Sequence, residues 1–237
     1  MDAAGYVTLT RQSGLMHEMQ VVANNIANVS TTGFRREGVV FAEYVQRLEG
    51  EPSLSMANAA ARNIDLTQAG LTQTGGAFDF AIQGEGFFMV ESPNGPRLTR
   101  AGSFTPSDLG ELVNADGHRL LDQGGAPIFI PPDAGVVGMA QDGTLSAAGK
   151  PLGRVGLWQP ADPLDLQHQG GTLFAASGAV EPADGAQILQ GYVEGSNVDP
   201  VSEIARMIEV QRAYEMGQTF LDNEDARVRG VIQVLGR

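Results

Sequence analysis

Residues 199–235 read DPVSEIARMIEVQRAYEMGQTFLDNEDARVRGVIQVL, and the rest of the chain is organised around them. Asp199 is suited to cap a helix N-terminus, because its carboxylate can accept from free backbone N–H groups. Pro200 fits the first helical position, where its missing N–H costs nothing. No further proline follows, and strong helix formers dominate to Gln218. Apolar residues recur at Ile204, Met207, Ile208, Val210, Tyr214, Leu221, Val228, Val231 and Leu235, the three-and-four spacing of an amphipathic helix. The register Met207, Val210, Tyr214, Gly217, Leu221, Glu224, Val228, Val231, Leu235 alternates three and four throughout, as a coiled-coil seam does; Gly217 and Glu224 are its weak points. At about 1.5 Å per residue the helix is on the order of 50 Å long. A small domain does not cover that length, so the stripe requires a partner.

A second helix is expected over residues 3 to 28. Leu9, Met16, Met19, Ala23 and Ile26 lie three, four or seven apart, Leu15 and Val22 widen the stripe, and Gln12 interrupts it. It runs into NNIANVSTTGF at 24–34. Asn, Ser and Thr side chains compete there with the helical backbone, and Gly33 tolerates positive φ. The helix therefore stops and turns, with Phe34 as an aromatic plug.

Between Phe34 and Gln73 charges alternate in sign around Phe41, Tyr44, Val45 and Leu48, which suggests a short helix or an extended connector. Pro52 to Ala61 is small and polar and reads as linker. From 78 to 192 short apolar runs such as Phe87–Val90, Leu112-Val113, Ile128–Ile130 and Leu173–Ala175 alternate with turn signals, among them Asn94-Gly95, Asp116-Gly117 and Asp142-Gly143. Spacing near ten residues favours a β-barrel or sandwich-like body over βαβ units. The expected fold is α+β: long terminal helices forming a coiled-coil-like domain (1–33 and 199–237), a connector (34–77) and a central all-β domain (78–198).

Composition narrows the function. The chain has 237 residues and a net charge of −13, which argues against binding nucleic acid or anionic lipid. With no cysteine there are no disulfides, thiolate zinc sites or cysteine nucleophiles. No apolar run reaches the length of a membrane span, so direct membrane insertion is not expected. Residues 1–5 lack the basic start and apolar stretch of a cleaved secretory signal.

Catalytic chemistry finds no foothold either. His17, His118 and His168 lie far apart with no ligand-spaced neighbours, so no metal or other cofactor is expected. Gly84-Glu85-Gly86 precedes a strand rather than opening a helix, which makes it a tight turn and not a phosphate loop. Catalytic serine or zinc-peptidase motifs do not occur. The informative features are the two helical stripes. Pairing within one chain leaves at least half of each helix uncovered, and contiguous apolar surface of that size marks an interface. The expected assembly surface comprises the stripe residues named above on both helices.

Several stretches together resemble the bacterial flagellar rod and hook proteins. The run Asn24-Asn25-Ile26-Ala27-Asn28-Val29-Ser30-Thr31-Thr32-Gly33-Phe34 resembles their N-terminal motif. Gln83-Gly84-Glu85-Gly86-Phe87-Phe88, then 98–104 (LTRAGSF) and 110–117 (GELVNADG), resemble the start of their shared β-domain. Residues 190–198 (QGYVEGSNV, with Glu194, Ser196 and Asn197) and 207–215 (MIEVQRAYE) resemble the C-terminal signature. The compact length is closest to the proximal-rod members; distal-rod and hook members are usually longer. The resemblance implies a structural subunit of the basal-body rod, with other rod proteins, copies of itself and the flagellar type III export apparatus as partners. It also implies a periplasmic position and export without a cleaved signal. A distal-rod or hook-type subunit of the same family, or a junction adaptor between other rod proteins, is the alternative within that class, and an enzyme or glycan-binding β-domain with helical tails the alternative outside it.

Overall fold

A computed structural model describes the backbone at residues 3–46, 54–183 and 185–235, and the side chains of those residues except at 3–6, 41–46 and 54–61. The chain is α+β, with one helix near each end and a β-rich region between. It divides into two compact units. One comprises residues 1–27, 37–63 and 199–237, the other 28–36 and 64–198, so the chain passes between units four times.

In the helical unit, α1 spans Ala3–Ala27 and α2 spans Pro200–Leu235. Asp199 caps α2: its Oδ1 accepts from the Val201 amide at 3.1 Å and its Oδ2 from the Ser202 hydroxyl at 2.6 Å. As positions rise along α1, their partners fall along α2. Gln12 meets Tyr214, Glu18 meets Arg206 and Asn25 meets Glu203, so the two helices run antiparallel.

Strands Glu37–Gln46 and Leu54–Ile64 pair as a two-stranded sheet in the same unit. Neither the short helix nor the linker expected here forms within the described residues. Small polar side chains do not prevent a ladder, whose hydrogen bonds are made by backbone alone. Residues 47–53 of the expected connector, including Arg47, Leu48, Glu49, Glu51 and Pro52, lie outside the described residues, and residues 64–77 belong to the β unit.

The β unit is antiparallel in every pairing between its strands. Its largest sheet runs, in spatial order, through Leu166–His168, Leu173–Ala176, Gly95–Thr99, Phe87–Ser92, Arg119–Leu120, Leu112–Val113 and Thr105–Pro106. The expected turn at Asn94-Gly95 joins two of these strands, with φ +94° at Gly95. Phe80, Ile82, Phe88, Val90, Leu112, Leu120, Leu145 and Ile188 fill a common core. The run Ile128–Ile130 forms only one isolated bridge, from Phe129 to Glu111, and Pro127 and Pro131 on either side have no amide to continue a ladder. Ile128 and Ile130 are buried nonetheless.

Candidate assembly surface and buried charge cluster

Helix α1 buries a polar row together with only part of its apolar stripe. Gln12 and Glu18 are each 7% exposed and Asn25 is fully buried, whereas Leu9 stands 51% and Met16 43% exposed. Ala23 is exposed, Met19 and Ile26 are half-buried, and Leu15 and Val22 are buried beside the polar row. The cause is specific pairing. The Gln12 Nε2 donates to the Tyr214 carbonyl at 2.9 Å, the Arg206 Nε donates to Glu18 at 2.7 Å, and the Asn25 Nδ2 donates to Glu203 at 3.1 Å. Asn25 also exchanges hydrogen bonds with the backbone of Glu37, at 2.8 and 3.0 Å. The Glu18 contact, with its hydrogen bond first, raises the Arg206 pKa above its ordinary value.

Along α2 only Glu203 and Val210 are buried. The register positions Met207, Tyr214, Gly217, Leu221 and Glu224 are half-buried, and Val228, Val231 and Leu235 are exposed. Ile204 and Ile208, off that register, are exposed too. Gly217 has a structural reason: the Gln12 side chain occupies the space where a Cβ would stand.

The motif residues gather elsewhere. At Gly33, φ is +74°, and the backbone of Arg100-Ala101 fills the place of a side chain, so only glycine fits. The Gly33 amide donates to the Glu194 carbonyl at 2.8 Å. Phe34 is fully buried, edge-on to His168 with ring centroids 5.7 Å apart. Asn197 accepts from the Arg36 amide at 2.6 Å and donates to the carbonyls of Asp65 and Thr67 at 2.9 and 3.0 Å. The Asn28 Oδ1 accepts from the Thr31 hydroxyl at 3.0 Å, and the Ser196 Oγ accepts from the Val198 amide at 3.3 Å. Asn24, in the last turn of α1, and Thr32, in the turn that follows the helix, are half-buried. Gly84 and Gly86 both take positive φ ahead of the strand that Phe87 opens.

Glu194 anchors a buried charge cluster. Its Oε1 accepts from the Arg35 Nη2 at 2.7 Å and the Ala69 amide at 2.8 Å, and its Oε2 accepts from the Arg100 Nη1 at 3.0 Å. The Arg100 Nη2 reaches the Gly84 carbonyl at 2.8 Å, and its guanidinium lies 5.3 Å from the Phe87 ring centroid. Burial pushes Arg100 down to about 10; Glu194 opposes this and Arg35 reinforces it. At neutral pH the Arg100 guanidinium therefore remains charged. Sequence reading gave Arg35 and Arg100 no structural role: their partner lies 159 and 94 positions away. A charge directly following the Phe34 plug was the available signal.

Among the described residues no cluster of His, Asp and Glu is arranged to hold a metal.

Comparison with known proteins agrees with this arrangement. Three family models match in chain order: Flagella basal body rod protein over residues 6–35, Flagellar hook protein FlgE/F/G D1 domain over 81–147, and Flagellar basal body rod FlgEFG protein C-terminal over 189–233. The flagellar basal-body rod protein FlgF of Caulobacter vibrioides is 41% identical, over 100% of this chain and 99% of its own. FlgF of Mesorhizobium japonicum is 36% identical over 95% and 97%, and the rod protein FlgG of Agrobacterium fabrum 32% over 92% and 94%. The chain belongs to the flagellar basal-body rod protein family, a family of structural proteins and not of enzymes.

Proposed function

We propose that this chain is a subunit of the proximal rod and polymerises through its terminal helices, with copies of itself and other rod proteins, into the shaft that transmits torque. The observation that carries this reading is the apolar surface that the helical unit leaves uncovered. Polar side chains occupy the seam between α1 and α2, while Leu9, Met16, Ile204, Ile208, Val228, Val231 and Leu235 are exposed. Each such side chain gains roughly 1.5–3 kcal/mol on full burial, which neighbouring subunits supply and solvent does not. The continuation of the α2 register past Glu224 supports coiled-coil packing in the assembly. Identity to FlgF proteins supports the proximal position; the 32% identity to an FlgG keeps a distal-rod role as the second reading.

Export through the flagellar type III channel, without a cleaved signal, into the periplasmic rod follows from this reading. A chain threaded unfolded through a channel suits a sequence with no cysteine. Among the described residues no helix is long and apolar enough to cross a membrane, in keeping with a subunit not itself inserted in one. Torque transmission then rests on many helix contacts acting together and on a β unit that resists shear.

The test replaces Leu221 or Met19 by aspartate in a cell whose only copy is the variant. Secretion continues, incorporation into basal bodies is lost, and cells are non-motile. Wild-type motility with both variants, or with residues 199–235 deleted, contradicts the reading.

A further inference from the structure

The β unit carries a cleft that its own core leaves open. Gln123, the turn at 141–142, the stretch 154–157, and residues 182–183 and 185–187 all border it. It encloses about 380 Å³, within the roughly 300–1,000 Å³ of small-molecule sites. Gly156 lets these stretches close together. A side chain there would collide with the Gln123 backbone and with the Trp158 indole nitrogen.

The polar groups around the cleft fall into two sets. The first is already engaged. The amides of Gln123, Val155, Ala183 and Ile188 donate to the carbonyls of Arg154, Gly143, Leu157 and Gln141 at 2.9–3.0 Å. The Asp142 carboxylate accepts from the Thr144 amide and hydroxyl, each at 3.0 Å. The second set is unused. The side-chain amides of Gln123, Gln141 and Gln187 are exposed and make no hydrogen bond among the described residues. Arg154 donates its Nε to the Asp142 carbonyl at 2.9 Å, and its two Nη groups make no ion pair or hydrogen bond among the described residues. Three amides, each able to donate and accept, and the end of one guanidinium therefore face the same space.

This set selects a ligand by chemistry. Asp142 and Arg154 are the charged residues of the lining and offset one another, so the cleft favours neither a cation nor an anion. Its bordering backbone amides are paired internally, so a peptide cannot add there as a further strand. Among the described lining residues none is aromatic, which leaves a nucleobase nothing to stack on. Side-chain amides match hydroxyl groups, which also donate and accept, and Leu157, Pro182 and Ala186 supply apolar surface for the C–H face of a sugar ring. We propose that the cleft binds a neutral, hydroxyl-rich saccharide, held by Gln123, Gln141, Gln187 and the Nη groups of Arg154. The site belongs to the β unit alone and does not depend on the rod reading or on the helical surfaces.

The test titrates the purified full chain with cellobiose, with chitobiose and with triglycine. Fluorescence follows Trp158, the only tryptophan, whose indole nitrogen lies against Gly156 in the cleft wall. Calorimetry of the same mixtures supplies a reading independent of fluorescence. A saturable change with at least one disaccharide, and none with triglycine, is expected. Gln141→Ala combined with Gln187→Ala should weaken that binding roughly tenfold. Both side chains are exposed, so the melting temperature of the double variant should stay at the native value. Three results overturn the proposal: no saturable signal from either sugar by either method up to its solubility limit, undiminished binding by the double variant, or triglycine binding as tightly as the sugars. The rod reading fails separately, through absence of the chain from basal bodies of motile cells.

Discussion

The two units of this chain differ in how much of their apolar surface they bury. In the β unit Phe80, Phe88, Leu112 and Leu145 are sealed inside, and among the described residues the only charges enclosed with them are paired around Glu194. In the helical unit Gln12, Glu18, Asn25 and Glu203 are sealed inside beside Leu15, Val21, Val22 and Val210, while Leu9, Met16, Ile204, Ile208, Met216 and Phe220 face outward. Buried polar groups contribute little net stability, but they admit few alternative partners. The polar seam therefore sets which residue of α1 meets which residue of α2. On the proposed reading, the apolar faces carry free energy of burial that is released only on assembly. A finished body and an unfinished interface are encoded in one chain.

The contrast can be broken most severely inside the β unit. Glu194→Ala leaves Arg35 and Arg100 buried without their carboxylate, at a cost of about 3–5 kcal/mol. Trp158 is the only tryptophan and lies in this unit, so its fluorescence during urea unfolding reports the loss. An unchanged midpoint would mean that the cluster does not hold the unit together.

A smaller effect is expected at the helical seam. Gly217→Ala places a methyl group where the Gln12 amide lies and costs the Gln12–Tyr214 hydrogen bond, roughly 1 kcal/mol. Adding Gln12→Ala should remove the clash and restore incorporation into basal bodies. If the double variant is as poor as Gly217→Ala alone, the close approach at Gly217 serves something other than Gln12.

The smallest effect belongs to the cap. The Ser202 hydroxyl, then the Val201 amide, hold the Asp199 carboxyl below its ordinary value. A depressed folded pKa means that stabilisation is present above the ordinary value, about 4, and is lost as pH falls through the folded value. Thermal melts followed at the helical circular dichroism band should show this loss in acid for the native chain. With Asp199→Asn the melting temperature should be slightly lower at neutral pH and should fall less on acidification.

Much of the fold was legible because its signals are local. The Asp199-Pro200 cap, the three-and-four spacing after it, the Asn-rich stop ending at Phe34 and the Gly-containing turns each act within a few residues. What was not legible depends on pairing. The α1 stripe could be found from apolarity, but which face turns inward was decided by Tyr214, Arg206 and Glu203, far along the chain. The strand Leu54–Ile64 was masked by small residues, since a ladder needs no particular side chain. The Arg35–Glu194–Arg100 cluster joins three distant stretches, and only Glu194 stood out, through its motif.

Hydrogen exchange read by mass spectrometry, on the free full-length chain and on isolated basal bodies, tests the central contrast most directly. In the free chain the amides of Phe87–Val90 should be strongly protected and those of Val228–Leu235 should exchange quickly; in basal bodies both should be protected. Equal, strong protection of Val228–Leu235 in the free chain would contradict the account, because the helical unit would then be complete without its neighbours.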